Sequence, residues 1–240
     1  GLGDVYKRQE YKRSPLSGLL FLLVCLSALI TVTVLVFLII YILYNGIPNL
    51  TLPGLFDWEY NSQNVSMMPA IINTVIMTAL SLLLAVPLGV FSAIYLVEYA
   101  RRGNKLVKVV RITAETLSGI PSIVYGLFGY VLFVLTLDWG YTLLSGAITL
   151  AIMILPLIMR TTEEALLSVP DSFREGSFGL GAGRLRTVFK IVRPSALPGI
   201  LAGVILAIGR IVGESAALIF TAGTNPVVPD CLFASTRTRS

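Results

Sequence analysis

The chain has 240 residues, 55% of them hydrophobic and 13% charged, with 18 Lys and Arg against 13 Asp and Glu for a net charge of +5. A soluble domain carries about 25% charged residues, so lipid is the solvent for most of this chain, and its basic residues sit in short clusters between apolar runs rather than on the single face that nucleic acid requires. With no histidine, only Cys25 and Cys231 as thiols and no Gly-Lys dipeptide, the sequence excludes histidine-based catalysis, a zinc site, a disulfide framework and a P-loop of its own, and no cofactor is expected.

Residues 1–11 do not fit the pattern of the remaining chain and, with 231–240, are read as a non-native leader and tail outside the fold. Lys12 and Arg13 precede an uncharged run from Leu16 to Tyr44. That run exceeds both the ~20 residues of a membrane helix and the ~7–15 of a signal-peptide core, so it is a retained first span. Asn45-Gly46-Ile47-Pro48 ends it. The connection 45–68 is polar, holding Asp57 and Glu59 but no Lys or Arg, with Trp58 and Tyr60 suited to an interfacial aromatic belt. Pro69 to Val97 is a second uncharged run, leading to a basic hairpin with Arg101, Arg102, Lys105, Lys108 and Arg111. A third run, Ile112 to Leu137, has Glu115 near its start, and Asp138-Trp139-Gly140 turns the chain into a fourth that lasts to Met159. The fifth run, Pro194 to Ala222, is interrupted by Arg210 and Glu214.

These runs predict an all-α integral membrane protein with five spans. The positive-inside rule orients it, because 12–13, 101–111 and 160–193 are basic whereas 45–68 and 138–140 lack Lys and Arg. The amino terminus and the 160–193 loop are therefore expected in the cytoplasm. Pro87, Pro121 and Pro156 lie inside runs two to four and are read as kinks, their freed carbonyls satisfied by neighbouring helices. Gly199-x-x-x-Gly203 and Gly209-x-x-x-Gly213 allow close helix contact.

Between the fourth and fifth runs, Val169-Pro170-Asp171-Ser172 reads as a helix start, with Glu175 at the capping-box offset from Ser172. About two turns of helix are expected, ended by Gly179, Gly181 and Gly183, with Phe173, Phe178 and Leu180 as apolar knobs and Arg174 and Glu175 at the edge. Chemistry alone favours an amphipathic segment on the bilayer surface or a solvated loop. The spacing reverses that: Glu175-Gly176-Ser177, three residues, Gly181, nine residues, then Ile191-Val192-Arg193-Pro194. It resembles the EAA loop of ABC-importer permeases, with Gly176, Ser177 and Arg193 in place of the usual Ala, Ala and Leu. The resemblance implies that 160–198 is a coupling loop whose short helix docks into a cleft of a cytoplasmic ATPase.

Arg210 and Glu214, four residues apart, are expected on one helix face. Each costs about 2.5–3.5 kcal/mol at mid-membrane on insertion scales, so the pair should face the bundle interior or a wet cavity. An interhelical ion pair is one reading. The other is a transport role, since a planar guanidinium holds tetrahedral oxyanions in bidentate fashion and Glu214 would neutralise it when empty. Glu115 and Arg160, near helix ends, can snorkel to the interface.

Gly119-Ile120-Pro121-Ser122-Ile123-Val124-Tyr125-Gly126-Leu127-Phe128-Gly129, Arg160-Thr161-Thr162-Glu163-Glu164-Ala165-Leu166 and Gly209-Arg210-Ile211-Val212-Gly213-Glu214-Ser215-Ala216 look like permeases of the phosphate-specific transport (Pst) system, closer to the PstA type than to PstC. The resemblance covers 12–230 and implies a type I ABC-importer permease domain in a bacterial or archaeal inner membrane. It also implies a PstC-like second permease, a PstB-like ATPase dimer, a PstS-like extracytoplasmic phosphate-binding protein, and Arg210 on the phosphate path. Such permeases have six spans, so the five here lead to the expectation of a fragment lacking the sixth. A permease for another oxyanion, such as phosphonate, shares the same pattern. An ion-driven secondary transporter suits the intramembrane charges but has no use for a coupling loop, and an intramembrane enzyme lacks a nucleophile–base pair.

Overall fold

The computed structural model describes residues 15–49, 56–58, 66–101 and 103–223. The expected leader and tail, Lys12 and Arg13, Arg102, and Glu59 and Tyr60 of the first connection lie outside the described residues. All regular structure among the described residues is helical. Two units form, divided after Phe56.

The first unit holds α1, Pro15–Gly46, a 32-residue helix closed by a 3-10 turn at Ile47–Asn49. Apolar side chains on every face, exposed throughout, make it a helix whose solvent is hydrocarbon.

The second unit is built around α5, Leu143–Leu167. Its side chains are buried nearly all round, with Leu150, Ile154 and Leu166 at 0% exposure. Against it pack α2 (Met68–Ile94), α3 (Lys105–Ser118) and α8 (Arg193–Val212). Small residues let these backbones approach. A Cβ on Gly89 of α2 would lie 2.8 Å from Ile158, and one on Gly199 of α8 would lie 2.6 Å from Ala165. A Cβ on Gly203 would strike Thr161. Gly199 and Gly203 thus seat α8 on α5 as their spacing predicts, whereas Gly209 meets nothing and Gly213 meets only the Gly209 carbonyl, so the second glycine pair makes no helix contact. The buried Ser81 hydroxyl donates to the Ala147 carbonyl at 2.9 Å, a polar tie between α2 and α5.

Among the described residues, four helical stretches are long and apolar enough to cross a membrane: 16–46, 68–99, 143–167 and 184–212. The expected third span is not one helix. Lys105–Ser118 and Ser122–Thr136 meet at a 102° bend, giving a fifth crossing only if the broken pair is counted as one. Pro121 is therefore not a kink within a span. It occupies the position before α4 (Ser122–Gly129), extended at φ −58 and ψ 140, and the preceding Gly119 closes α3. Proline disfavours a helical residue before it, so Gly119-Ile120-Pro121 stops one helix and starts another. Pro87 and Pro156, by contrast, stay inside unbroken helices.

Other boundaries also differ from expectation. The basic hairpin is mostly helix, because α3 starts at Lys105, where the Asn104 side chain accepts from the Leu106 N–H at 3.0 Å. The fourth run continues eight residues past Met159, since Thr162, Ala165 and Leu166 keep a buried face on it. The last long helix begins at Arg184, not Pro194: α7 (Arg184–Thr187), a π turn (Val188–Val192) and α8 are continuous. The π turn lies just before Pro194, whose missing N–H would otherwise break an α-helical ladder. Further π turns succeed α2 (Tyr95–Tyr99) and α4 (Tyr130–Thr136).

Candidate functional site

The short helix between the fourth and fifth long segments is α6, Asp171–Gly179. Pro170 precedes it with φ −57 and no side-chain cap, so the expected Ser172–Glu175 capping box does not form. The helix closes at Gly181, left-handed at φ +81. The Gly181 N–H donates to the Phe178 carbonyl at 2.9 Å and the Ala182 N–H to that of Ser177 at 3.1 Å, the reciprocal pair of a Schellman motif. A side chain other than glycine would be strained there.

Around this helix the predicted residues divide into outward and inward sets. Glu175 and Gly176 are exposed, as are Phe173 (49%), Phe178 (47%) and Leu180 (91%). Phe173, Leu180, Arg186 and Lys190 border a shallow hollow that also touches Gly181 and Ile191. Ser177 is buried and shares a 2.8 Å hydrogen bond with Thr187, tying α6 to α7. Ile191 lies half-buried in the π turn and Pro194 is exposed. Arg174 is not at the outer edge. Its guanidinium turns inward, donating to Glu98 (2.8 and 3.1 Å), to the Val169 and Leu166 carbonyls (2.8 and 2.9 Å) and to Asp171 (3.1 Å).

At the far end of α8, about 25 Å along the helix by its 1.5 Å rise, Arg210 lies half-buried in the last turn, where the helix dipole favours a cation. Glu214 does not share its helix face. The helix ends at Val212 with Gly213 as its cap, and the Glu214 carboxylate instead accepts from the Ala217 N–H at 3.1 Å, at the start of α9 (Ala216–Thr221). The expected counter-ion pair is thus replaced by a helix cap. Ile211, the neighbour of Arg210, packs in the same buried cluster as the Tyr125 phenol. That phenol donates to the Leu117 carbonyl at 2.8 Å, bridging the break between α3 and α4. Helix α9 packs on α4, with Gly126 so close that a Cβ would come 2.8 Å from the Ala217 Cα. The fold therefore brings together two motifs distant in sequence, 119–129 and 209–216.

The third motif, 160–166, lies on α5 beside α3. Arg111 pairs with Glu163 at 2.5 Å and Arg160 with Glu164 at 3.2 Å, around a crevice that Glu115 also lines. Sequence reasoning passed over Glu98 and the Arg111–Glu163 pair. The signal for Glu98 was a lone carboxylate at the end of an otherwise uncharged run, beside a cluster of cations.

Apolar helices around a buried central span, with an exposed short helix at one end of α8 and a half-buried arginine at the other, define a multi-pass membrane protein. The chain belongs to the family of binding-protein-dependent transport system inner membrane components, matching it over residues 85–234. It is 39% identical over 205 residues to the probable ABC transporter permease protein YqgI of Bacillus subtilis, which covers 82% of this chain and 67% of that protein. It is 39% identical over 154 residues to the phosphate transport system permease protein PstA 1 of Mycobacterium tuberculosis, covering 64% of this chain and 50% of that one. With the phosphate transport system permease protein PstA of Pasteurella multocida, identity is 39% over 181 residues, 75% of this chain and 64% of the relative. The chain thus spans between half and about two-thirds of these relatives. A chain of the MetNI methionine ABC transporter shares the fold, with a TM-score of 0.51 at 24% identity over 62% of this chain and 69% of that one. The chain is accordingly a multi-pass inner-membrane component of that family.

Proposed function

We propose that this chain forms the translocation path of an ATP-driven inorganic phosphate importer, together with a second, PstC-like permease. A PstB-like ATPase dimer docks on α6 from the cytoplasm, and a PstS-like binding protein delivers phosphate from outside. The observation that carries the substrate is the 39% identity to relatives named as phosphate transport permeases. The amino terminus and α6 face the cytoplasm in this reading, as the distribution of Lys and Arg indicates.

Docking falls to the outward set on α6: Phe173, Phe178 and Leu180 as apolar anchors and Glu175 as the charged contact. Gly181 gives the loop its sharp end, and the Ser177–Thr187 bond holds the helix against α7. Arg210 offers phosphate a planar, permanently charged fork. With Glu214 engaged at the α9 cap, that fork is left to attract the anion rather than being neutralised by its neighbour.

The experiment is phosphate uptake by cells in which this permease is the sole phosphate route, at matched expression. Arg210→Lys, which keeps charge but loses the fork, should impair uptake, and Arg210→Gln should impair it further. Full uptake by Arg210→Gln would place the pathway elsewhere.

A further inference from the structure

Arg174 makes more polar contacts than any other side chain in the loop, and all but the one to the exposed Asp171 carboxylate point inward. One edge of its guanidinium, Nε and Nη2, meets Glu98 at 3.1 and 2.8 Å, while Nη2 also donates to the Leu166 carbonyl and Nη1 to the Val169 carbonyl at the end of α5 and to Asp171. Glu98 belongs to the π turn that ends the second span. The extra residue in a π turn rotates the succeeding residues by about 100° relative to an α-helix, and Glu98 there is turned to a buried position, 6% exposed. The side chains of the pair are 15% and 8% exposed, so both charges are largely shielded from water. A single residue of α6 thus fastens it to the ends of two long helices.

We propose that Arg174 is a positioning residue, which with Glu98 clasps the coupling helix to the second and fourth apolar segments so that displacement of α6 by the ATPase is carried into the membrane. The inference rests on the proposed ATP-driven import. Only Ser168, Val169 and Pro170 join α5 to α6 in sequence. Without the clasp, α6 could pivot on this short linker and on the Ser177–Thr187 bond, absorbing the stroke. Docking itself does not require the clasp, because Phe173, Glu175 and Leu180 lie outside it. A planar fork is needed, since a lysine ammonium cannot span a carboxylate and two carbonyls in one plane.

The test uses the complete transporter in proteoliposomes, comparing Glu98→Gln and Arg174→Lys with the unmodified protein at equal amounts of assembled complex. Both the ATPase rate and phosphate uptake are read. Both variants are expected to retain the bound ATPase and to hydrolyse ATP. Phosphate moved per ATP should fall roughly 5- to 150-fold, the span of ordinary coupling free energies. Glu98→Gln conserves shape, which guards against misfolding of the arginine variant. An unchanged ratio in both variants overturns the clasp as a transmission element. Loss of the ATPase from both overturns it as well, by making Arg174 part of docking. If the unmodified complex itself moves no phosphate with ATP, the import reading fails instead.

Discussion

Gly203 and Gly209 lie on the same helix, less than two turns apart, and make opposite predictions for the same substitution. A methyl group on Gly203 would sit 2.8 Å from the Thr161 Cβ and closer still to its hydroxyl, whereas one on Gly209 meets nothing within 4 Å. Alanine gains about 0.8–1.0 kcal/mol over glycine in a helix interior, and that gain is common to both sites. Overpacking costs about 1–3 kcal/mol and applies only to Gly203. Gly203→Ala should therefore be less stable than Gly209→Ala by about 1–3 kcal/mol. At roughly 2–4 °C per kcal/mol for a chain of this size, their melting midpoints should separate by roughly 2–12 °C. Thermal unfolding of the isolated subunit in detergent reads this directly. Adding Thr161→Ala to Gly203→Ala should restore only part of the loss, because the hydroxyl is removed but the 2.8 Å Cβ contact remains. Equal midpoints, or a lower one for Gly209→Ala, would refute the seating of α8 on α5.

Gly181→Val forces a branched side chain into φ +81; it should leave membrane insertion intact and abolish ATPase-coupled uptake, and normal uptake would make the loop a mere connection. Glu214→Gln keeps an oxygen for the Ala217 N–H and should change uptake less than either Arg210 variant, whereas Glu214→Ala should lower stability by about 1 kcal/mol through the lost cap; a Glu214→Gln defect matching that of Arg210→Gln would show instead that the carboxylate acts in transport. In a background lacking Cys25 and Cys231, a membrane-impermeant thiol reagent on intact cells should label Ser62→Cys and spare Leu180→Cys, although Leu180 is 91% exposed. The reverse pattern would invert the orientation.

Long apolar runs were legible in the sequence because composition alone decides them, and α1 and the core of α5 fall where their runs predict. The Gly199–Gly203 seat was legible as a spacing, yet Gly209–Gly213 has the same spacing and no neighbour, since spacing cannot say which helix face meets a partner. Two misplacements had signals that were present but outweighed. Gly119 before Ile120-Pro121 is a stop and a start in succession, and the hydropathy of 112–137 concealed it. Gly213 marks a helix end, and it separates Arg210 from Glu214 whatever their four-residue interval suggests. The inward turn of Arg174 was not legible. It depends on Glu98, 76 residues away in sequence, and on a π turn that no local pattern announces.

The most direct test of the account is transport by the complete assembly in proteoliposomes, with the binding protein outside and ATP inside. Radiolabelled phosphate should accumulate only when ATP and the binding protein are both present, with ion gradients collapsed, and excess phosphonate should not displace it. Uptake that tracks an ion gradient without ATP, or that phosphonate abolishes while phosphate alone drives no hydrolysis, would contradict the claim that this chain is the permease of an ATP-driven phosphate importer.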